Sequence, residues 1–172
     1  YSNMLYDMFF PYGQSELQIL EKHKQYALMF ASEKKYEHVA VREDSERPLR
    51  IAYISPDFRY HSVGMFFFNI LKHHNRSQYE VFCYYTCPVE EAETLKFKQH
   101  SCHWRHVAAS HPDELAKIIY EDKIDILIDL AGHTRGNSML AFLRKPAPIQ
   151  MTWIGYTFST GLDAIDYFIT DE

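Results

Sequence analysis

The chain has 172 residues, of which 47% are hydrophobic and 24% charged, which is the composition of an ordinary globular domain. A formal net charge of −5 argues against nucleic-acid binding, which requires a basic surface. No stretch reaches the ~18 apolar residues of a membrane span, and three cysteines without a disulfide pattern favour a reduced, cytoplasmic compartment.

The first part of the chain predicts a helical lead-in. Apolar residues recur across residues 15–35 with the spacing of one helix face, and Ser15 is placed to cap that helix. The residues of this face are Leu17, Leu20, Ala27, Leu28 and Phe30. Residues 41–48 (VREDSERP) are polar and end in proline, which indicates a linker. We therefore predict a helical connector over residues 1–48 and a second unit over residues 49–172.

Strands and helices alternate from residue 49 onward. The predicted strands cover residues 49–55, 80–85, 103–107, 124–130, 149–154 and 167–170. The predicted helices cover residues 63–73, 90–100, 112–122 and 138–144. Two strands are almost continuously apolar, among them IDILIDL at residues 124–130, as expected for strands that are covered on both faces. The pattern predicts an α/β fold built on a doubly wound parallel sheet.

Polar residues gather directly after three of the predicted strands. No G-x-G-x-x-G or Walker loop follows the first strand. Ligands of doubly wound sheets nevertheless bind beyond the carboxyl ends of the strands, so these loops predict a shared crevice with histidines, arginines, hydroxyls and glycines around it. The candidates are Ser55, Asp57, Arg59 and His61 after the first strand, residues 132–137 after the fourth, and residues 155–161 after the fifth.

These residue types fit acid–base chemistry on a bound sugar or phosphate. Imidazole takes and gives protons near neutral pH, and glycines let a sugar or phosphate approach the backbone. Structural interpretations stay open beside this one. Asp57 could cap the following turn, His61 could flank the next helix, and Gly132 and Gly136 could be turn residues.

A second group of histidines and a cysteine does not predict a metal site. His100, Cys102, His103 and His106 lie on and beside the third predicted strand, where successive side chains point to opposite faces. Zinc instead needs four ligands in one closed array. We therefore expect no metal ion to be bound here.

Several motifs resemble a known family in order and spacing. They are LRIAYISPDFRYHSVGMFF, YEVFCY, DILIDLAGHTRGN and KPAPIQMTWIGYTFSTGLDAIDYFITD. Together they resemble the N-terminal catalytic half of the O-GlcNAc transferase/SPINDLY family, and are closest to its bacterial SPINDLY-like branch. The lead-in is similar to the helical connector of those proteins, so the resemblance covers nearly the whole chain.

The resemblance implies a GT-B enzyme with two Rossmann-like halves, of which the second is absent from this chain. Such enzymes transfer a sugar from a uridine or guanosine diphosphate onto Ser or Thr of a protein, with inversion and without a metal ion or other cofactor. We expect UDP-GlcNAc as the donor, a protein acceptor, a cytoplasmic location and tetratricopeptide repeats upstream. We expect this half to supply the acceptor side and part of the sugar pocket, and to be inactive alone.

The resemblance also implies roles for individual residues. His61 lies in the D-F-x-x-H motif and matches a histidine proposed as the active-site base or a sugar contact. The residues that we expect to bind substrate are Asp57, Arg59, His133, Thr134, Arg135, Gly155, Tyr156 and Thr157. Phe158 departs from the family pattern, which has glycine where the backbone approaches the sugar, so the identity of the sugar stays open. The alternatives are O-fucosyl or N-glucosyl transfer on the same fold, and a non-catalytic module that binds peptides.

Overall fold

The computed structural model describes residues 1–10, 13–31, 35–38 and 47–171. Its strands are β1 (Leu49–Ser55), β2 (Tyr79–Tyr85), β3 (His103–His106), β4 (Ile126–Asp129), β5 (Ile149–Trp153) and β6 (Tyr167–Ile169). Its helices are α1 (Ser2–Asp7), α2 (Glu16–Met29), α3 (Ser62–His73), α4 (Ala92–His100), α5 (Pro112–Glu121) and α6 (Met139–Phe142). Within these ranges no helix has the length and apolarity of a membrane span.

The six strands form one parallel sheet in the order β3-β2-β1-β4-β5-β6. The order reverses between β1 and β4, where Ile54 lies beside Tyr84 on one side and Asp129 on the other. Such a reversal leaves a crevice at the carboxyl ends of the two strands, because their connections leave in opposite directions. The predicted doubly wound parallel sheet is confirmed.

The sheet is buried on both faces, and the residues of β1 contribute alternately to the two hydrophobic clusters that cover it. Ala52 and Ile54 belong to the hydrophobic cluster on the side of α5 and α6, whereas Ile51 and Tyr53 belong to the cluster on the side of α3 and α4. Alternate residues of a strand point to opposite faces, so an apolar residue at every position fills both layers. The ring of Tyr53 packs 4.5 Å from that of Phe67 on α3, measured between centroids.

Helix α2 begins as predicted and buries a different face. The Ser15 hydroxyl accepts from the backbone N–H of Gln18, and the Gln18 side chain accepts from the N–H of Ser15, which is a capping box. The predicted apolar face is wrong, because Leu17 and Leu28 are 65% and 77% exposed. The buried residues are Ile19, His23 and Tyr26.

The lead-in packs directly on the sheet domain. Helix α1 was not predicted, yet its Leu5 is buried in the same cluster as Tyr26 of α2, Phe142 of α6 and Leu162 beyond β5. The predicted linker lies for the most part at residues 41–46, outside the described residues. The division into units at residues 48 and 49 stays a prediction, although one hydrophobic core includes residues from both sides of it.

Candidate functional site

The loops after β1 and β4 meet at the reversal of the strand order. The Thr86 hydroxyl, just beyond β2, donates a hydrogen bond of 2.9 Å to the carbonyl of Gly136. A Cβ atom placed on Gly136 would lie 3.1 Å from Cβ of Pro56, and the positive φ of 81° at Gly136 suits glycine. The loop that carries His133 therefore runs beside the loop that carries His61.

The loops after β4 and β5 are packed together even more tightly. A Cβ atom on Gly132 would lie 2.1 Å from Cβ of Tyr156, and one on Gly155 would lie 1.8 Å from the Leu130 carbonyl oxygen. No side chain fits at either distance, so both glycines are required for this contact. The structure thus brings all three predicted loops to one edge of the sheet.

His61 lies at the start of α3 with its side chain 39% exposed. Its Nδ1 accepts a hydrogen bond of 3.3 Å from the backbone N–H of Val63, which makes it the N-cap of the helix. The same Nδ1 lies 3.7 Å from Oδ2 of Asp57. It therefore faces both a donor and an acceptor. In the tautomer with the proton on Nδ1, the bond from Val63 would be given up in favour of the Asp57 carboxylate, and Nε2 would be a free base.

Asp57 and Arg59 form the polar wall next to His61. Asp57 is buried, and its N–H donates to the Ser55 hydroxyl at 2.9 Å. The Arg59 guanidinium lies 3.4 Å from the Asp57 carboxylate and 3.6 Å from that of Glu91. Arg59 is therefore held by two acidic groups near the reversal. Arg135, on the loop after β4, is exposed.

His133 lies inside the wall of the site, away from solvent. It is fully buried, with Nε2 2.8 Å from the Thr160 carbonyl and Nδ1 3.2 Å from the Ser2 hydroxyl. Burial lowers the pKa of His133 to about 4, with a further contribution from nearby His23 and against the opposing effect of the Thr160 carbonyl. The ring is therefore neutral at pH 7 and engages both of its nitrogens within the protein.

The remaining predicted residues divide between the wall and the surface. Tyr156 is buried, and its hydroxyl lies 2.6 Å from Nε2 of His23 on α2. Thr134 donates to the Ala131 carbonyl at 2.8 Å and closes the turn after β4. Thr157 is exposed. It lines a cavity of about 350 Å³ together with Ser159, Thr160 and other residues of β5, of β6 and of the segment between them.

Phe158, which replaces a glycine of the family pattern, packs on the lead-in. Its ring centroid lies 5.6 Å from that of Phe9 and 5.6 Å from that of His23. The bulky ring also contributes to the lining of the 350 Å³ cavity. The lead-in thus offers an apolar contact to the Phe158 ring, and a glycine at this position could not make that contact.

Two residues of the site were not predicted. Asp129, fully buried at the end of β4, accepts hydrogen bonds from the N–H groups of Ala131 and Gly132 and from the Thr152 hydroxyl, at 3.1, 2.7 and 2.8 Å. Burial raises its pKa to about 6, although these three bonds oppose the rise. The sequence held a signal for Asp129, since it is a charged residue near the carboxyl end of the apolar strand IDILIDL. His23 was missed because it lies in the lead-in.

The second group of histidines is dispersed among separate partners. His103 contacts Glu80 at 2.6 Å, His106 the Cys87 carbonyl at 2.7 Å, and His100 the Lys96 carbonyl at 2.8 Å. Among the residues that the structure describes, no three His, Cys, Asp or Glu side chains are grouped as ligands of a metal ion. The three cysteines are free thiols.

Comparisons with known proteins indicate the family of the chain. The model of Glycosyl transferase family 41 matches residues 3–172. A probable UDP-N-acetylglucosamine–peptide N-acetylglucosaminyltransferase, SPINDLY of Arabidopsis thaliana, is 41% identical over 134 residues, covering 76% of this chain and 15% of its own length. SPINDLY of Oryza sativa subsp. japonica is 44% identical over 132 residues, covering 74% and 14%.

A solved structure is also similar over almost the whole chain. The K341M mutant of the Thermobaculum terrenum O-GlcNAc transferase superposes with a TM-score of 0.92 at 32% identity, covering 99% of this chain and 33% of that one. The chain therefore spans about a third of that structure and about a seventh of the plant relatives.

Proposed function

The chain belongs to glycosyl transferase family 41, and we propose that it forms part of a protein glycosyltransferase that transfers N-acetylglucosamine from UDP to Ser and Thr hydroxyls. The names of the plant relatives and of the similar solved structure support this choice of sugar, nucleotide and acceptor. Within the complete protein, this chain would supply the acceptor side of the site and part of the sugar pocket. We also propose a cytoplasmic location and upstream tetratricopeptide repeats, as the resemblance implies.

The observation that carries the proposal is the position of His61. A partly exposed imidazole lies at the reversal of the strand order with a carboxylate 3.7 Å from its Nδ1. In the proposed reaction the acceptor oxygen attacks the anomeric carbon, the bond to the diphosphate oxygen breaks, and the nucleoside diphosphate leaves. Nε2 of His61 takes the hydroxyl proton, and Asp57 stabilises the resulting imidazolium. Attack from the face opposite the diphosphate inverts the anomeric carbon.

The other predicted residues would act around this base. Arg59 and Arg135 would assist in stabilising the departing diphosphate, whose charge would be balanced largely by parts of the complete protein outside this chain. The exposed hydroxyl of Thr157 would contact the sugar, whereas His133, Thr134, Gly155 and Tyr156 would hold the walls of the sugar pocket in place. No step of the proposal uses a metal ion, so transfer is expected to continue in the presence of EDTA.

A second cavity supports an acceptor role for this half. It has a volume of about 480 Å³ and lies between the lead-in and the loops beyond β2, β3 and β4. Its described lining contains no Asp, Glu, Lys or Arg, and it includes Gly136 of the shared edge. An uncharged polypeptide segment fits such a lining of hydroxyls, amides and aromatic rings. The lining includes Tyr26, Phe30, Thr86, Asn137 and Ser138.

The test is mass spectrometry of candidate acceptor proteins after incubation of the complete protein with UDP-GlcNAc, GDP-fucose or UDP-glucose. We expect the mass of one N-acetylglucosamine on Ser or Thr with the first donor, and loss of that signal in His61→Ala. If the acceptor gained mass only with GDP-fucose or only with UDP-glucose, the transferred sugar would be fucose or glucose and not N-acetylglucosamine. Acceptor binding without any mass gain would favour a non-catalytic peptide-binding module.

A further inference from the structure

We propose that His23, on α2 of the lead-in, is a positioning residue that sets the loop of residues 155–161 for donor-sugar binding, an inference that rests on the proposed function. His23 lies outside the three loops that the sequence indicates. It is nevertheless fully buried against two of them.

Hydrogen bonds at both nitrogens fix the orientation of the His23 ring. Nδ1 lies 2.7 Å from the carbonyl of Ile19, one turn earlier on the same helix. A carbonyl can only accept, so Nδ1 carries the proton of the neutral ring, and Nε2 must be the acceptor. Nε2 lies 2.6 Å from the Tyr156 hydroxyl, which therefore donates to it. The backbone of α2 thus fixes the His23 ring by one hydrogen bond, and the ring fixes the Tyr156 hydroxyl by another.

His23 also contacts other residues of the loop of residues 155–161. A Cβ atom on Gly161 would lie 2.5 Å from the His23 carbonyl carbon, so the loop backbone runs directly against α2. The His23 ring lies 5.6 Å from that of Phe158 and 5.1 Å from that of His133, measured between centroids. One side chain of the lead-in therefore contacts the loops after β4 and β5 together.

The position of Tyr156 decides where the neighbouring hydroxyls lie. Its Cβ occupies the space beside Gly132, and Thr157 follows it directly at the surface. If Nε2 were removed, the buried phenol would lose its acceptor, and an unsatisfied buried hydroxyl is costly. The phenol would then have to turn, and Thr157 and Ser159 would move with the loop. Donor binding would weaken, while acceptor binding at the 480 Å³ cavity would not.

The test compares His23→Phe, His23→Gln and Tyr156→Phe in the complete protein. His23→Phe lacks the acceptor, and we expect it to raise KM for the nucleotide sugar about tenfold with less than about a twofold change in KM for the acceptor. His23→Gln keeps a side-chain oxygen that can accept, and we expect it to recover most of the loss. Tyr156→Phe removes the same hydrogen bond without a new cavity, and the double variant His23→Phe/Tyr156→Phe should be no worse than His23→Phe.

Leu5→Ala is the matched control, because Leu5 is a buried lead-in residue without a hydrogen bond to either loop through its side chain. We expect it to lower the melting temperature but to leave KM for the donor unchanged. Hydrogen exchange gives a readout that needs no sugar. The amides of residues 155–161 should exchange about tenfold faster in His23→Phe and in Tyr156→Phe than in Leu5→Ala, if one hydrogen bond holds the loop.

The outcomes separate this inference from the proposed function. An active wild-type protein whose donor KM and loop exchange respond to His23→Phe and Tyr156→Phe no more than to Leu5→Ala would overturn the positioning role alone. A wild-type protein that transfers no sugar would overturn the proposed function, and faster exchange of residues 155–161 in Tyr156→Phe would still support the contact between α2 and the loop.

Discussion

His61 and His111 cap their helices in the same way. Nδ1 of each accepts a hydrogen bond from the backbone N–H two residues later, at 3.3 Å for His61 and 3.4 Å for His111. Each also has a carboxylate near Nδ1, that of Asp57 at 3.7 Å and that of Asp113 at 3.5 Å. His61 lies where the strand order reverses, whereas His111 follows the edge strand β3 and is 71% exposed. The chain thus contains its own control for the proposed base.

Replacing these two histidines by alanine should separate capping from catalysis. Either substitution removes a helix cap and should lower the free energy of unfolding by about 1 kcal/mol. His61→Ala should in addition lower kcat by a factor of about 10² to 10⁴, the usual contribution of a general base. Steady-state kinetics and urea unfolding of the complete protein measure both effects. Equal turnover in His61→Ala and His111→Ala would mean that His61 caps its helix and does not act as the base.

The buried carboxyl group of Asp129 should make stability depend on pH. Its pKa is about 6 in the folded protein, above the ordinary value of 3.8, because of burial. The folded chain therefore holds this proton more tightly than the unfolded chain. The resulting stabilisation is complete below pH 4 and is lost as pH rises through about 6, with a total of about 3 kcal/mol.

Asp129→Asn removes this titration, so the stability advantage of the wild type over the variant should shrink between pH 4 and pH 7. Urea unfolding at half-unit intervals of pH measures that difference. Asp163→Asn removes a negative charge from an exposed position and serves as the control. An advantage that grows with pH would mean that the carboxylate, and not the acid, is the form preferred by the fold.

His133 should give a pH dependence of the opposite sign. Its pKa is about 4 in the folded protein, below the ordinary 6.5, chiefly because of burial. The folded chain therefore releases the proton more readily than the unfolded chain. Stability from this residue is complete above pH 6.5 and is lost as pH falls toward 4, by about 3 kcal/mol. On acidification, the wild type should lose its advantage in free energy of unfolding over His133→Asn. If the free energies of the two proteins changed with pH in parallel, the ring of His133 would not be buried and neutral.

Gly155→Ala should strongly destabilise the fold. The new Cβ atom would lie 1.8 Å from the Leu130 carbonyl oxygen, and a backbone atom at the end of β4 cannot move aside without disturbing the sheet. A cost of about 3 kcal/mol or more is expected in thermal or urea unfolding. Gly13→Ala is the control, because its Cβ atom would meet nothing within 4 Å and only the backbone conformation would be strained. Equal losses in the two variants would contradict a steric role for Gly155.

The sheet could be predicted from the sequence because its strands are short, apolar and regularly separated. The observed bounds of β1, Leu49–Ser55, are those predicted, and no predicted strand bound is off by more than two residues. Helix α1 could not be predicted. It has six residues without a side-chain cap and depends on burying Leu5 against the rest of the fold.

The loops that form the site were predicted, but which of their side chains are buried was not. The edge of a parallel sheet follows from strand order, so the approach of the loops that carry His61 and His133 was accessible to sequence reasoning. Whether a histidine faces solvent or the protein interior depends on packing that no local pattern encodes. His133 is buried by Tyr26, whose ring centroid lies 4.8 Å away, and α2 had been assigned the wrong buried face. Counting His23 as a possible core residue would have shown the i, i+4, i+7 spacing of Ile19, His23 and Tyr26.

The contact between Gly132 and Tyr156 bears on how this family can diverge. A side chain at position 132 and an aromatic ring at position 156 compete for one volume, since the two Cβ atoms would be 2.1 Å apart. Position 132 therefore cannot gain a side chain while residue 156 has a Cβ atom, whereas position 156 can change as long as residue 132 is glycine. A homologue with a side chain at 132 is therefore expected to carry glycine at 156 or to have moved the two loops apart.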